Sequence, residues 1–310
     1  MTAPPTAEEA HVLRRGLLYG FAAYASWGFM PVYIKAVRAA PVLEVLSHRI
    51  VWAFLLLLLI VWRRGELPAL GAALRSGRTL GVLAASTTAI AINWLVYIWA
   101  VQSGHVLDSS LGYFINPLVN VLFGVLLLHE RLDRTLRVAF AIAGLGVLWL
   151  AIRGGHVPWI ALTLATSFGT YGLLRKLAPV GALVGLTIET ALLTPLAGGY
   201  LVWSGVNGRA AIFSGSASLD ALLLLAGPVT AIPLLFFAGA ARRLPLSTLG
   251  FLQYVSPTLQ FLLAVLVYRE PLDGPRLVAF ALIWTALAIF AVHTGRASRR
   301  AAARAREVSA

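Results

Sequence analysis

Residues Pro117–Phe140 read PLVNVLFGVLLLHERLDRTLRVAF, and residues Pro257–Phe280 read PTLQFLLAVLVYREPLDGPRLVAF. At a constant offset of 140, Pro117 meets Pro257, Glu130 meets Glu270 and Leu132-Asp133 meets Leu272-Asp273. Val138-Ala139-Phe140 then meets Val278-Ala279-Phe280. Just upstream the offset becomes 138, where Ser109-Ser110-Leu111-Gly112 meets Ser247-Thr248-Leu249-Gly250. Weaker matches extend the repeat toward its start. At offset 141, Ser26-Trp27-Gly28 meets Ser167-Phe168-Gly169 and Lys35 meets Lys176. The chain therefore carries two related apolar halves, each with a proline in mid-segment. Secondary transporters are built this way.

Composition places the repeat in a membrane. The chain is 59% hydrophobic and 12% charged, with a mean hydropathy of +0.84. Soluble domains are about a quarter charged. Ten apolar spans are predicted at 17–37, 45–62, 79–101, 108–128, 135–151, 157–174, 181–203, 221–240, 247–268 and 275–294. Each is long enough to cross a hydrocarbon core. The first span follows Arg14-Arg15 as a signal peptide would, but it exceeds the length of such a region and is read as retained.

Orientation follows from the cations. With the N-terminus in the cytoplasm, 18 Lys and Arg fall in cytoplasmic segments and 6 on the other side, with Arg49 inside a span. The split predicts that both termini are cytoplasmic. It also accounts for the net charge of +13 without a nucleic-acid partner. The basic tail RASRRAAARAR suits anionic lipid. The predicted organisation is a cytoplasmic segment 1–15, five-helix repeats at 16–153 and 154–295, and a basic tail 296–310. Five is odd, so the second repeat is inverted relative to the first. The fold expected is an all-α polytopic membrane protein of ten transmembrane helices with a solute site between the halves.

Polar residues inside the spans nominate that site. Tyr113, Asn116 and Asn120 are spaced i, i+3, i+7, and Gln253, Ser256 and Gln260 repeat the spacing in the second half. Each set shares one helix face. Pro117 and Pro257 follow the central residue of each stripe, and a proline inside a helix frees a carbonyl and kinks the chain. One interpretation makes the stripes hydrogen-bonding walls of a central cavity; the other makes them interhelical glue. Asn93 and Tyr97, one turn apart, add an amide and a ring to the same candidate pocket. Glu189 lies near mid-span, where a charge requires a partner, and His48 or Arg49 is the candidate. The trio is either a coupling or substrate-binding group or a structural ion pair.

Other chemistries fit poorly. There is no Cys, so thiolate catalysis and Cys metal sites are excluded. The six His residues are scattered without metal-ligand spacing. No phosphate-binding loop is present. Glu130–Asp133 and Glu270–Asp273 sit among arginines at span ends and suit gating or loop locking better than hydrolysis. No cofactor or metal is expected.

Several segments together resemble a known family. They are Glu44-x-x-Ser47-His48-Arg49 with Trp52, Asn93-Trp94-Leu95-Val96-Tyr97-Ile98-Trp99-Ala100-Val101 and Ser109-Ser110-Leu111-Gly112-Tyr113-Phe114-Ile115-Asn116-Pro117-Leu118-Val119-Asn120. The second half adds Ser167-Phe168-Gly169-Thr170-Tyr171-Gly172-Leu173-Leu174-Arg175-Lys176, Ile188-Glu189-Thr190 and Leu246-Ser247-Thr248-Leu249-Gly250-Phe251-Leu252-Gln253-Tyr254. The chain resembles the drug/metabolite transporter superfamily with tandem EamA domains and, within it, the RarD proteins. The resemblance implies a carrier of small organic solutes in the bacterial cytoplasmic (inner) membrane. It implies export, without ATP, with protons as one candidate coupling ion. An importer or proton-independent facilitator is the alternative; a membrane enzyme or channel fits less well. Substrate and oligomeric state stay open.

Overall fold

A computed structural model describes residues 7–128, 134–153, 155, 157–241, 243–244 and 252–308 of the chain. Every regular element among them is helical: α1 Ala7–Gly28, α2 Met30–Ala36, α3 Val42–Arg63, α4 Leu67–Arg75, α5 Gly77–Gln102, α6 Val106–Leu128 and α7 Arg134–Arg153. The remainder are α8 Trp159–Leu177, α9 Ala182–Val206, α10 Ala217–Leu224, α11 Ala226–Ala241, α12 Val255–Leu262 continued by a π-turn Leu263–Val267, and α13 Gly274–Val308. Six stretches are long and apolar enough to cross a membrane: Val42–Arg63, Gly77–Gln102, Arg134–Arg153, Ala182–Val206, Ala217–Phe237 and Gly274–His293. The chain is a polytopic helical membrane protein.

Local sequence sets the helix ends. Pro31 begins α2 and separates it from α1 at Phe29. The Ser76 hydroxyl accepts from Thr79 N to start α5, and the Ser216 hydroxyl accepts from Leu219 N to start α10. The tight link between α5 and α6 passes through Gly104 at φ +81°, a conformation that only glycine adopts without strain.

Four features differ from the sequence expectation. The link 63–78 contains a helix of its own, α4. Helix α13 does not stop near 294 but continues to Val308, because the tail is rich in Ala and Arg, two strong helix formers. Helix α6 runs through Pro117. Pro257, by contrast, lies in the first turn of α12, after a turn at Gln253 and Tyr254. Its ring excludes the carbonyl four residues earlier and it has no N–H to offer, so the chain is interrupted one turn upstream of the proline rather than kinked at it. The segments 129–133 and 245–251, with Glu130 and the start of the predicted ninth span, lie outside the described residues.

Helix packing has a repeating logic. Helix α5 packs on α8, and α11 packs on α1. Helix α6 packs on α8, and α12 on α1. Helix α3 packs on α11, and α9 on α5. The pairs α3–α9, α6–α12 and α7–α13 also meet. Small residues allow the closest approaches: a Cβ on Gly112 of α6 would sit 2.8 Å from Ala161 O and 3.0 Å from Ala161 Cα of α8. Backbone cannot give way as a side chain can. Gly112→Ala is expected to destabilise the protein by about 1–3 kcal/mol. Gly144→Ala on α7, where a Cβ meets nothing within 4 Å, is expected to hold or raise stability. Thermal unfolding of the two purified variants in detergent checks the contrast.

Candidate functional site

Helix α3 carries the densest polar cluster. Glu44, His48 and Trp52 follow one another at successive turns and share a face. Trp52 Nε1 donates to His48 Nδ1 at 3.0 Å, and His48 Nε2 is 3.9 Å from Glu44 Oε1. That same oxygen accepts from the backbone N–H groups of Ala211 and Ile212 at 2.8 and 3.1 Å.

Arg49 is one residue on, about 100° around the helix, and points into the bundle with 4% of its surface exposed. Its Nε donates to Thr230 Oγ1 of α11 at 3.2 Å. Its guanidinium lies 5.3 Å from the centre of the Trp94 ring of α5. Its Nη1 is buried and has no hydrogen-bond partner among the described residues. The phenols of Tyr33, Tyr97 and Tyr113 lie within its electrostatic reach. Tyr33 donates to Leu222 O at 3.0 Å and Tyr113 to Asn93 Oδ1 at 3.1 Å. The Tyr97 hydroxyl is buried without a partner, and its ring meets that of Tyr113 edge-on at 5.8 Å.

The amides are spent largely on neighbouring helices. Asn93 Nδ2 donates to Leu164 O and to Ser167 Oγ, both at 3.1 Å. Asn116 Nδ2 donates to Ala165 O at 3.1 Å. Both bonds tie the first half to α8. Gln253 Nε2 donates to Asn116 Oδ1 at 3.4 Å, so the two stripes meet across the halves. Gln260 Nε2 donates to Trp27 O and Ser256 Oγ, both at 3.3 Å, while Gln260 Oε1 is buried without a partner. Ser110 Oγ donates to Pro257 O at 2.8 Å. The Asn120 side chain lies outside what is described.

Glu189 pairs with neither His48 nor Arg49, which corrects the sequence expectation. Its Oε1 accepts from Ser86 Oγ at 2.6 Å, its Oε2 from Tyr171 at 3.2 Å, and Arg175 Nε is 3.8 Å away. The residues at His48 and Glu189 correspond by the repeat offset, but equivalent positions in a pseudo-symmetric pair need not touch. Glu189 faces α5 and α8, whereas Arg49 faces α5 and α11. Ser86, Tyr171 and Arg175 were not singled out in the sequence as partners of Glu189, nor Thr230 as the partner of Arg49. The signal available for Ser86 and Thr230 was a hydroxyl within an apolar span.

One end of the bundle is closed by Glu270. Its carboxylate accepts from the backbone N–H groups of Val106 and Leu107 at 2.9 and 2.8 Å, which begin α6. A carboxylate there satisfies orphan donors and opposes the helix dipole. Burial pushes the Glu270 carboxyl above the usual carboxylate range, against the pull of the two N–H groups and of Lys35. Beside it, Arg276 is 3.5 Å from Asp108 and Lys35 Nζ lies 4.7 Å from the Tyr268 ring centre. Asp273 Oδ1 accepts from Arg276 N at 2.9 Å and caps α13. Among the described residues no group of His, Asp and Glu could hold a metal ion.

The comparisons with known proteins agree with this membrane architecture. Residues 14–152 match the EamA-like transporter family. An uncharacterized transporter of Vibrio cholerae is 45% identical over 93% of this chain and 96% of its own length. The protein RarD of Streptomyces exfoliatus is 45% identical over 94% of this chain and 92% of its own. A crystal structure 22% identical in sequence superposes with a TM-score of 0.56 over 91% of this chain and 98% of its own, which shares the fold. With relatives of this identity along nearly its whole length, the chain belongs to the EamA-like transporter family as a RarD-like, multi-pass protein of the bacterial cytoplasmic membrane.

Proposed function

We propose that the chain is a secondary carrier of small organic solutes. It works by alternating access between two inverted five-helix repeats, 16–153 and 154–295, with ten spans, both termini in the cytoplasm, and export as its direction. It performs no covalent chemistry. The observation that carries this proposal is the exchange pattern in the helix contacts. Three of the larger contacts between the halves have a counterpart when the first five spans are swapped with the second: α5–α8 with α11–α1, α6–α8 with α12–α1, and α3–α11 with α9–α5. Two packings related by such an exchange are equivalent in kind, which is what inward- and outward-open states require. The names of the relatives, transporter and RarD, point the same way.

The absence of Cys makes the topology directly testable. Single variants Arg64→Cys and Pro179→Cys are expected to react with a membrane-impermeant thiol reagent only from the cytoplasmic side. Ser103→Cys and Ser214→Cys are expected to react only from outside. Any exchange of sides between the two pairs removes the inverted arrangement.

A solute site between the repeats uses the contact of Asn116 with Gln253. Thermal unfolding of the purified protein against amino acids, nucleosides, aromatic metabolites and chloramphenicol reads it out. A ligand at 100 times its dissociation constant adds about 2.7 kcal/mol of apparent stability. Asn116→Ala and Gln253→Ala are each expected to abolish the shift. Gln253→Ala should leave the unliganded melting temperature unchanged, since it removes one long bond. Normal ligand shifts in both variants make the stripes packing.

Glu189 is engaged on both oxygens by donors from α5 and α8, which supports a lock between helices over a proton carrier. Glu189→Gln keeps one acceptor and loses the other, and is expected to destabilise by about 1–3 kcal/mol. The pH profile of transport in proteoliposomes should be unmoved. A flattened profile assigns proton coupling to Glu189 instead.

A further inference from the structure

We infer that Arg49 is the anchor of a carboxylate-binding subsite, and that the solute is a small organic acid held by its carboxylate against Arg49 and the Tyr97 hydroxyl; as a statement about cargo this rests on the carrier proposal above. Three observations meet here. First, the guanidinium is buried and its Nη1 has no partner among the described residues. Second, no hydrogen bond or ion pair joins the nearby buried carboxylates to Arg49 among the described residues. Glu44 accepts the N–H groups of Ala211 and Ile212 through Oε1 beside His48, its Oε2 being buried without a partner there, and Glu189 meets Ser86, Tyr171 and Arg175. Third, the Tyr97 hydroxyl is also buried and unpartnered among the described residues, and Tyr97 stands on α5 about one turn beyond Trp94, whose ring Arg49 meets.

A buried cation without an internal counter-charge is costly to maintain in a membrane protein, and such groups mark solute pathways. The form of the group narrows the ligand. With its face on Trp94 and Nε on Thr230, the guanidinium is oriented and keeps a donor free at its edge. That edge matches a planar carboxylate, and its single charge matches a monoanion better than a phosphate dianion. Tyr97 supplies a second donor. The rings of Tyr97, Tyr113 and Phe168 stand edge to face in succession and suit an aromatic or apolar body.

A surface cleft lies beside the hydrogen-bond partner of Tyr33. Its volume is about 490 Å³, and it is lined by Ala36, Pro41, Arg209, Ser214 and Leu222. The Leu222 carbonyl accepts from Tyr33, so the cleft abuts the phenol that borders Arg49. Arg209 places a positive charge in that cleft.

The test uses the full chain, purified in detergent and reconstituted in vesicles. The probes are benzoate, phenylacetate and L-phenylalanine, set against benzamide, phenethylamine and phenyl phosphate. The carboxylates are expected to raise the melting temperature and benzamide to leave it unchanged. Tyr97→Phe removes a hydroxyl that bonds nothing, so it should melt at or above the wild-type temperature yet bind carboxylate about tenfold more weakly. Arg49→Gln should abolish binding, and Arg49→Lys should retain only a weak remnant. If Arg49→Gln fails to fold, Tyr97→Phe decides alone. Equal shifts from benzoate and benzamide, no shift from any carboxylate, tighter binding of phenyl phosphate, or wild-type affinity in Tyr97→Phe overturns the inference. Uptake separates it from the carrier proposal. Carboxylate binding without uptake leaves the subsite standing and removes the carrier. Uptake of neutral or cationic probes without carboxylate binding does the reverse.

Discussion

A guanidinium buried between α3, α5 and α11 without a carboxylate is the constraint around which this interior is arranged. Hydrocarbon offers it no solvation, and on insertion scales a charge at the bilayer centre costs about 2.5–3.5 kcal/mol. The bundle meets that cost with polarisable and polar neighbours rather than with an opposite charge. Trp94 presents its ring face, Thr230 accepts one N–H, and the phenols of Tyr33, Tyr97 and Tyr113 lie within electrostatic range. Each is held in turn: Thr230 donates to Ala226 O, Tyr33 to Leu222 O, and Tyr113 to Asn93. Asn93 then grips α8 through two further bonds. The cluster around one arginine thus reaches from α2 to α11 and across both halves.

Two of the buried charges, Arg49 and Glu189, occupy equivalent interfaces. Arg49 on α3 bonds a hydroxyl on α11, and Glu189 on α9 bonds a hydroxyl on α5. Exchange of the halves converts one interface into the other. The charges are of opposite sign and their environments differ accordingly. Glu189 is met by two hydroxyl donors and a nearby Arg175, whereas Arg49 meets a hydroxyl and an indole ring. The repeated architecture has therefore been specialised: one interface sets its charge beside an opposite charge and the other sets it beside neutral groups.

Much of the fold was legible in the sequence because apolar length and proline are strong signals. The helices α3, α5, α6, α7 and α9 coincide with predicted spans to within a few residues. The interruption near Pro257 was legible too, though its position one turn upstream follows from the excluded carbonyl, which a residue list does not display. The shared faces of Asn116 with Tyr113 and of Gln260 with Ser256 were readable from spacing. Their partners were not. Asn116 bonds Ala165 O and Gln260 bonds Trp27 O, and a backbone carbonyl leaves no signature in sequence. The assignment of Glu189 to His48 or Arg49 failed for the same reason. Opposite charges in apolar spans attract attention, but Ser86 and Tyr171 are common residues whose role depends on which faces meet.

The ends of the bundle extend the same economy of donors. Glu270 lies just beyond a π-turn, at which Tyr268 N bonds Leu263 O and Glu270 N bonds Ala264 O, with Arg269 at φ +52°. The strained backbone directs the carboxylate onto the first N–H groups of α6. Releasing those groups would leave two donors and a helix dipole unsatisfied at once. Because α6 also carries Tyr113 and Asn116, its N-terminal restraint is mechanically continuous with the cluster at Arg49. The carrier mechanism proposed above would use such continuity, by which a contact at one end of the bundle registers what occupies the middle.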